Sequence, residues 1–295
     1  MSGLDRRGFF RTGAGVAAGA LGAAAATAVE PARPAAADDV NGLGWGRKIP
    51  QDGIGMHLYT MRGPLAIDYP GSLRQLAGIG YRTIGVSGRF GHSAAAIRGF
   101  ADDAGLRIVL EHVGYEKIAN GWETAMEEVR LMGGRWAAIP SLPGSLRSPD
   151  GYRQAAAEFN AAGEIARQYG VGLLYHNHDF DFAVMNGEVL WEILANETDP
   201  ALVGFELDLY WCVRGKQHPV PYFHRYPGRF PALHVKDMAP NLGFADVGSG
   251  VLNWPSFFDP EQVAGIEQWL VEHDSPADPW ATARNSYRYL STMRY

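Results

Sequence analysis

The feature that most limits how this chain can fold is an alternation of short apolar, β-rich runs with segments of helical spacing. Eight such runs are predicted as strands: Ile54–Met61, Thr83–Ser87, Arg107–Val113, Trp136–Pro140, Val171–His176, Val203–Leu209, Ala232–Val235 and Ile266–Glu272. Strands that alternate with helices form parallel sheets, and eight of them in about 250 residues predict a closed (β/α)8 TIM barrel. An open doubly wound sheet is the alternative, but no G-x-G-x-x-G follows an early run.

Between the runs, apolar residues recur at helical spacing and several segments end in glycine. The predicted helices are Ser72–Ile79, Ser93–Ala104, Gly121–Met132, Tyr152–Tyr169 and Glu188–Asn196. Gly105 and Gly133 stand where a left-handed helix cap is expected. The sixth and seventh helices are poorly marked, and Pro219–Pro227 is predicted as a long loop that gives His218 and His224 no role.

The first 37 residues have the pattern of an export signal. Arg6 and Arg7 precede two phenylalanines, an uncharged Ala/Gly-rich stretch runs from Thr12 to Val29, and Ala35-Ala36-Ala37 offers a cleavage site. This order is typical of a secretory signal, and the paired arginines resemble a twin-arginine translocation signal. We therefore expect residues 1–37 to be a twin-arginine signal peptide, the protein to be exported with only transient contact with the translocase, and residues 38–295 to form one catalytic domain without stable membrane insertion. Whether the signal is cleaved is left open.

Charge and cysteine content exclude several classes of protein. The chain is 46% hydrophobic and carries a net charge of −6, and removal of residues 1–37, which hold a net +2, leaves −8. Such a surface argues against a nucleic-acid partner. Cys212 is the single cysteine, so an intramolecular disulfide and a cysteine-cluster metal site are excluded. Any metal ligands must then be histidine, aspartate or glutamate.

Ionisable residues gather where the predicted strands end, which is the edge that carries the chemistry of a barrel of this type. Asp208, His234 and Glu272 lie at the ends of three consecutive predicted strands, and His176 and His178 lie at the end of the strand before them. We predict that Asp208, His234 and Glu272 bind a metal together with one of the two histidines, and we choose His178 as the fourth ligand. A mixed nitrogen and oxygen set suits Mn²⁺, Zn²⁺, Fe²⁺ or Co²⁺. A divalent ion of this kind would polarise a sugar carbonyl and stabilise an enediolate.

Longer motifs around these residues resemble the sugar phosphate isomerase/epimerase group of the xylose-isomerase-like barrel superfamily. They are Tyr175-His176-Asn177-His178-Asp179-Phe180, Phe205-Glu206-Leu207-Asp208-Leu209-Tyr210-Trp211, Leu233-His234-Val235-Lys236-Asp237-Met238 and Val271-Glu272-His273-Asp274. The resemblance covers essentially all of residues 50–295. It implies a TIM barrel, a sugar substrate and a divalent metal bound by Asp208, His234 and Glu272.

Two positions depart from the pattern that the resemblance implies. Relatives carry a glutamate ligand after the fifth strand, where this chain has His176 or His178, so a symmetrical epimerisation between two carboxylates is in doubt. Gly85 stands where related sequences tend to carry glutamate. An imidazole can still act as a ligand or as a base near neutral pH.

The remaining candidates receive roles by position. Glu272, His176, His178 and Lys236 are the candidate catalytic residues, with Lys236 placed to hold a substrate oxyanion or a phosphate. His57, His112 and Trp211 are candidate substrate contacts. Each has an ordinary structural alternative: a satisfied core histidine, a solvated lysine or a core tryptophan.

Four functions compete on this evidence. The leading hypothesis is a metal-dependent isomerase or epimerase that moves a proton next to a sugar carbonyl. An exported lyase or hydrolase that cleaves 3-keto-glycosides by elimination is the first alternative, and a non-catalytic sugar-binding barrel is the second. An endonuclease acting on abasic DNA is disfavoured by the negative charge and the export signal. The substrate, the metal, the stereochemical outcome and the oligomeric state are not specified by the sequence.

Overall fold

The computed structural model describes residues 46–295, and its central feature is a closed barrel of eight parallel strands. We number them β1 (Ile54–His57), β2 (Thr83–Val86), β3 (Arg107–His112), β4 (Trp136–Ile139), β5 (Gly172–His176), β6 (Val203–Asp208), β7 (Ala232–Val235) and β8 (Gln268–Val271). Each strand pairs with its sequence neighbours, and β1 pairs with β8 to close the barrel. The predicted TIM barrel is therefore confirmed, while the predicted export signal lies outside the described residues.

Eleven helices of the described residues surround or cap the barrel. They are α1 (Arg62–Ile67), α2 (Tyr69–Ile79), α3 (Ala94–Ala104), α4 (Trp122–Met132), α5 (Pro149–Gln168), α6 (Leu190–Glu197), α7 (Leu209–Arg214), α8 (Pro219–Arg225), α9 (Trp254–Phe258), α10 (Glu261–Ala264) and α11 (Pro279–Thr292). Two short hairpins, Val184–Met185 with Glu188–Val189 and Asp237–Met238 with Phe244–Ala245, extend the loops. No helix within residues 46–295 is long and apolar enough to cross a membrane.

Local sequence signals explain where the longer helices begin and end. The Ser93 hydroxyl accepts a hydrogen bond from the Ala96 amide at the start of α3, and Gly105 ends that helix in the left-handed conformation with φ of 68°. Gly133 ends α4 in the same way. Small polar caps and left-handed glycines satisfy backbone groups that a helix end leaves without partners. The prediction that these helices end at glycine is therefore confirmed.

One loop prediction is wrong. Residues 219–225, within the segment predicted as a loop, form α8, and the His218 imidazole caps its first turn by accepting from the Val220 amide. Prolines suggested a loop here, but proline is well tolerated in the first turn of a helix because its missing N–H has no partner there anyway.

Inside the barrel, side chains of the same strands form two layers. The lower one, which we call the apolar layer, contains Val109, Leu110, Trp136, Ala138, Leu174, Ala232 and Leu270. Residues two positions further along a strand point to the same face. His112, His176, His234 and Glu272 consequently stand above Leu110, Leu174, Ala232 and Leu270, and with their neighbours they form what we call the polar layer.

Candidate active site

The candidate site is a cavity of about 350 Å³ over the C-terminal ends of the strands. Its lining residues share the polar layer or the loops directly above it: His57, Tyr59, Ser87, His112, Pro140, His176, His178, Lys236, Glu272 and Asp274. A larger cavity of about 870 Å³ lies at the opposite end, beside Arg107, Trp136 and Gln268. In this fold that end contributes to stability, and the C-terminal end carries the chemistry. The smaller cavity is therefore the candidate site.

Lys236 lies at the centre of the acidic groups. It is buried, and its Nζ lies 2.9 Å from Asp208 Oδ2, 2.6 Å from Glu272 Oε2 and 2.8 Å from Asp274 Oδ1. Burial alone lowers the pKa of Lys236, but the three carboxylates raise it above its ordinary value. The ammonium is therefore charged at neutral pH.

Glu272 links this ammonium to two imidazoles. Its Oε1 lies 2.6 Å from His57 Nδ1, and its Oε2 lies 3.0 Å from His234 Nδ1. Burial favours the neutral acid, yet Lys236, His234 and His57 hold the pKa of Glu272 well below its usual range. For His234, burial lowers the pKa, while Glu206 and Glu272 raise it well above the ordinary value. Without a bound ion, His234 is consequently protonated and Glu272 is ionised.

Asp208 has both a structural contact and a contact within the site. Its Oδ1 accepts from the Trp211 amide at 2.9 Å and caps α7. Asn177 exchanges two hydrogen bonds with the Asp208 backbone and so ties β5 to β6. The other carboxylate oxygen, Oδ2, faces Lys236 and lies 4.0 Å from His176 Nε2 and 3.8 Å from His234 Nδ1. The capping bond therefore leaves one oxygen of Asp208 free to serve the site.

Glu206 is a site residue that the sequence analysis did not single out. It is fully buried, with Oε2 2.7 Å from His112 Nε2 and 3.6 Å from His176 Nδ1, and Oε1 2.9 Å from His234 Nε2. Burial raises the pKa of Glu206, but His234 and His112 lower it well below the ordinary value. The signal was present in the sequence: Glu206 precedes Asp208 by two residues on one strand, so both point into the barrel.

Three histidines near the cavity stay neutral at neutral pH. Burial lowers the pKa of His57 to about 4, that of His178 to about 4, and that of His176 well below its ordinary value. The His178 ring lies 5.1 Å from the His176 ring and 5.4 Å from the Trp211 ring, measured between centroids. A neutral imidazole keeps a lone pair, so each of these residues can bind a metal or accept a proton.

The site fits a divalent cation by charge and by donor type. Glu206, Asp208, Glu272 and Asp274 face two positive groups, Lys236 and the protonated His234. Among the buried atoms that could bind a metal, His176 Nδ1 makes no hydrogen bond, whereas Asp208 Oδ2 is in an ion pair with Lys236 and Glu206 Oε1 is in an ion pair with His234. A buried polar atom without a partner is costly unless something binds it. Imidazole and carboxylate together suit a first-row divalent ion.

The predicted site residues occupy three positions relative to the cavity. Those that line it are His57, His112, His176, His178, Lys236 and Glu272. Asp208 and His234 are buried outside the lining, within 4 Å of Lys236 or Glu272. Trp211 is set back, and its ring packs beside Lys236, His178 and Phe244. The structure thus brings the nominated residues together, and their individual roles stay predictions.

Packing in this chain explains why residue 85 is glycine, where related sequences tend to carry glutamate. A Cβ atom at residue 85 would lie 2.9 Å from His57 Cδ2, 3.1 Å from a Leu110 methyl and 3.2 Å from a Leu270 methyl. The absence of a side chain therefore makes room for the His57 ring that contacts Glu272.

Comparisons with known proteins agree with this architecture. A sugar phosphate isomerase/epimerase structure from Parabacteroides distasonis has a TM-score of 0.73 and 28% identity, covering 82% of this chain and 95% of that one. A probable 3-DHS dehydratase of petrobactin synthesis from Bacillus anthracis has a TM-score of 0.64 and 12% identity, covering 80% and 97%. The latter likeness shows the fold alone.

Among curated sequences, inosose dehydratase of Lacticaseibacillus casei is 24% identical over 163 residues, or 48% of this chain and 54% of that protein. The chain therefore spans about half the length of the curated relatives it matches. Residues 73–292 match the xylose isomerase-like TIM barrel family, from within α2 to the end of α11. The closed barrel, its polar C-terminal layer and this match lead to one conclusion: the chain belongs to the xylose isomerase-like TIM barrel family.

Proposed function

We propose that this barrel removes a proton next to the carbonyl group of an uncharged keto-sugar or cyclic polyol ketone and then expels a β-substituent. The observation that carries the proposal is the pairing of proton acceptors with a fixed ammonium in one cavity. Glu272 and the neutral His178 line the same cavity as Lys236. Abstraction of a proton next to a carbonyl needs a base on the carbon and positive charge near the oxygen.

The charge of the cavity supports an uncharged substrate. Lys236 is the only lysine or arginine among the described residues that line it, and three carboxylates already surround its ammonium. A phosphorylated sugar would bring further negative charge next to Glu272 and Asp274. Neutral hydroxyl groups, in contrast, can donate to these carboxylates and accept from Lys236.

The chain's own residues can perform the proton transfer. Glu272 or His178 takes the proton from the carbon, and Lys236 donates a hydrogen bond to the oxygen as it becomes negative. The donors that would hold a divalent ion lie beside them, namely Asp208, His234 and Glu272 together with His176 or Glu206. A bound ion would supply Lewis-acid polarisation of the carbonyl.

Elimination completes the reaction with atoms and electrons balanced. The electron pair of the broken C–H bond forms a C=C bond to the neighbouring carbon, whose C–O bond breaks. The leaving oxygen takes a proton and departs as water or as the alcohol of a glycoside. Two observations favour this outcome: the inosose dehydratase relatives, and the imidazoles His112, His176 and His178 opposite Glu272, where a symmetrical epimerase would need a second carboxylate.

Isomerisation or epimerisation is the second candidate. It shares the first proton transfer and differs only in that a proton returns to carbon. The similarity to the Parabacteroides sugar phosphate isomerase/epimerase structure supports it, and an imidazole can return the proton in place of a carboxylate.

Proton exchange in heavy water tests both candidates together. The purified protein is incubated with an inosose and with a 3-keto-glycoside in D₂O, and NMR follows deuterium at the carbon next to the carbonyl while absorbance follows the unsaturated ketone. We expect exchange with elimination, reduced about 10²- to 10⁴-fold in Glu272→Gln. Exchange without elimination would select the isomerase or epimerase. The absence of exchange with either substrate would contradict the proposal.

A matched pair of histidine variants controls for general damage. His178→Gln changes a residue that lines the cavity, whereas His224→Gln changes an exposed histidine of α8. Only the first should slow exchange. Equal losses in both variants would argue against a role for His178.

A further inference from the structure

The segment that follows β7 is organised around one buried carboxylate. Asp237 is only 1% exposed, and it is not among the described residues that line the cavity. Its two oxygens accept hydrogen bonds from five N–H groups at 2.8–3.3 Å: the amides of Met238, Gly248, Gly250 and Leu252 and the indole of Trp254. A carboxylate has about four lone-pair sites, so these donors saturate it. We call residues 238–254 the Asp237 loop.

Two glycines let the backbone of the Asp237 loop approach the carboxylate. A Cβ atom at residue 250 would overlap Asp237 Oδ1 and the carbonyl oxygen of Met238. Gly248 has a φ of 87°, in the left-handed region, and a Cβ atom there would overlap the Tyr289 ring. Any side chain at either position would push the loop away from Asp237. The local sequence is therefore matched to this contact.

The tip of the Asp237 loop is attached to α7. The Leu242 carbonyl accepts hydrogen bonds from the Tyr210 hydroxyl and from the Arg214 guanidinium, both at 2.8 Å. Leu242 has a φ of 65°, a conformation that costs free energy in a residue with a side chain and persists only where contacts hold it. Phe244 lies two residues further on, in the hairpin that pairs with Asp237 and Met238. The loop is therefore fixed on both sides of this ring.

Phe244 lies beside the ammonium group that the proposed reaction uses. Lys236 Nζ lies 5.8 Å from the centre of the Phe244 ring and 5.4 Å from the centre of the Trp211 ring, and both rings lie outside the cavity lining. Lys236 is 1% exposed although it lines the cavity. Aromatic faces attract an ammonium and exclude water from it, and charges act more strongly where water is excluded.

We infer that Asp237 is a positioning residue for the proposed reaction: its carboxylate fixes the Asp237 loop so that Phe244 shields the Lys236 ammonium from water and keeps it directed at the cavity. The effect on rate rests on the proposed function, whereas the shielding does not. Asp237→Asn tests the inference because two N–H donors face Oδ1 and three face Oδ2. An amide must therefore turn its NH₂ group towards at least two of them, which leaves buried donors without partners.

Acetylation by acetic anhydride measures the shielding of Lys236 without any substrate. Mass spectrometry follows each lysine separately, and the exposed Lys48, Lys117 and Lys216 are references within the same molecule. In the unaltered chain we expect Lys236 to react about 10²-fold more slowly than these references. In Asp237→Asn it should react about 10-fold faster than in the unaltered chain, because the loop opens more often.

Phe244→Ala is the second test variant, since Asp237→Asn alone could fail to fold. It removes the ring but keeps the contacts of Asp237, so acetylation of Lys236 should again rise about 10-fold while circular dichroism stays unchanged. Asp246→Asn is the matched control. Asp246 belongs to the same loop, but its carboxylate accepts from Thr282 and Asn285 of α11. Acetylation of Lys236 in this control should stay within about 3-fold of the unaltered chain.

Proton exchange provides the second measurement. In Asp237→Asn, kcat should fall about 10²-fold while KM stays within about 3-fold, because Lys236 acts on charge that develops after the substrate has bound. The inference is overturned if Lys236 stays unreactive in both test variants, if the control is acetylated as fast as they are, or if kcat is unchanged in Asp237→Asn. An unaltered protein without any exchange would contradict the proposed function, and acetylation would still decide whether Asp237 maintains the shielding of Lys236.

Discussion

The two layers inside the barrel are built from the same strands, yet they differ in almost every physical property. Leu110, Leu174 and Leu270 fill the apolar layer, and two residues further on His112, His176 and Glu272 stand in the polar layer. Burial of the leucines stabilises the fold by about 1.5–3 kcal/mol each. Burial of the ionisable groups costs free energy that only their mutual contacts offset.

Along each of these strands, residues that stabilise the fold are therefore only two positions away from residues that can take part in chemistry. The apolar layer fixes the strand positions, and the strand positions hold Glu206, Asp208, His234, Lys236 and Glu272 close together despite the cost of burying their charges. Residues held at a cost to stability are typical of functional sites. The polar layer is consequently where substitutions should change activity, and the apolar layer is where they should change the free energy of unfolding.

The sharpest test of this comparison exchanges residues on one strand. Leu174→Ala should lower the free energy of unfolding by about 2–5 kcal/mol because it leaves a cavity in the apolar layer. His176→Leu, which replaces a neutral imidazole by an apolar group of similar size, should change it by less than about 1 kcal/mol. Urea unfolding with a chelator present measures both values without a contribution from bound metal.

The comparison would fail if His176→Leu proved as destabilising as Leu174→Ala. Such a result would mean that the polar layer contributes to stability as much as the layer below it. Unchanged slopes of free energy against urea would confirm that both variants unfold in the same manner.

A second prediction concerns the cost of a buried acid in the segment that follows β5. Burial raises the pKa of Asp181 to about 6, although Tyr152, Tyr175 and the His178 amide all donate hydrogen bonds to its carboxylate. Because the folded pKa exceeds the unfolded value, the stabilising contribution of protonated Asp181 is complete below about pH 4 and is lost as pH rises through 6. The loss should approach about 3 kcal/mol.

Unfolding free energies between pH 4 and pH 7 check this expectation against Asp181→Asn. The variant has no proton to exchange at this position, so its profile should lack the decline assigned to Asp181. A decline of the same size in both proteins would assign it to other groups.

The smallest effect is expected at the boundary of the two layers. Gly85→Ala would place a methyl group 2.9 Å from the His57 ring above and 3.1–3.2 Å from Leu110 and Leu270 below. Such overpacking costs about 1–3 kcal/mol and should move His57 away from Glu272. Thermal unfolding measures the first effect. Gly144→Ala is the control, because a methyl group there meets no atom within 4 Å, and an equal loss in the control would contradict the steric explanation.

Much of the fold could be predicted from the sequence because the barrel repeats one local pattern. All eight predicted strands are present with ends within two residues of the prediction, except that β1 stops at His57 and Leu58–Met61 turns into a 3₁₀ helix. The helix α8 could not be foreseen from proline content, since proline marks both loops and first turns. Contacts between distant elements, and not local propensity, decide such segments.

The location of the candidate site could be predicted from the sequence, but not all of the residues that form it could be. The ends of β6, β7 and β8 bring Asp208, His234 and Glu272 together by topology alone, since parallel strands end at one edge. The contact of Lys236 with three carboxylates depends on where a long flexible side chain is directed, which spacing does not specify. Glu206 was not predicted as a site residue because it lies two residues before the strand end, and the prediction considered only residues at strand ends.

Closure of the barrel has a consequence for the time course of folding. Strand β1 pairs with β8, more than 200 residues later, and the amides of Gly46 and Arg47 donate to the carbonyl of Tyr295. Contacts between residues so far apart in sequence slow folding, because a long loop must close before they form. The polar layer contains residues from the first and the last strand of the barrel, namely His57 of β1 and Glu272, which directly follows β8. During synthesis, the nascent chain therefore lacks the His57–Glu272 contact until the ribosome has released β8, and the site is assembled as one of the last events of folding.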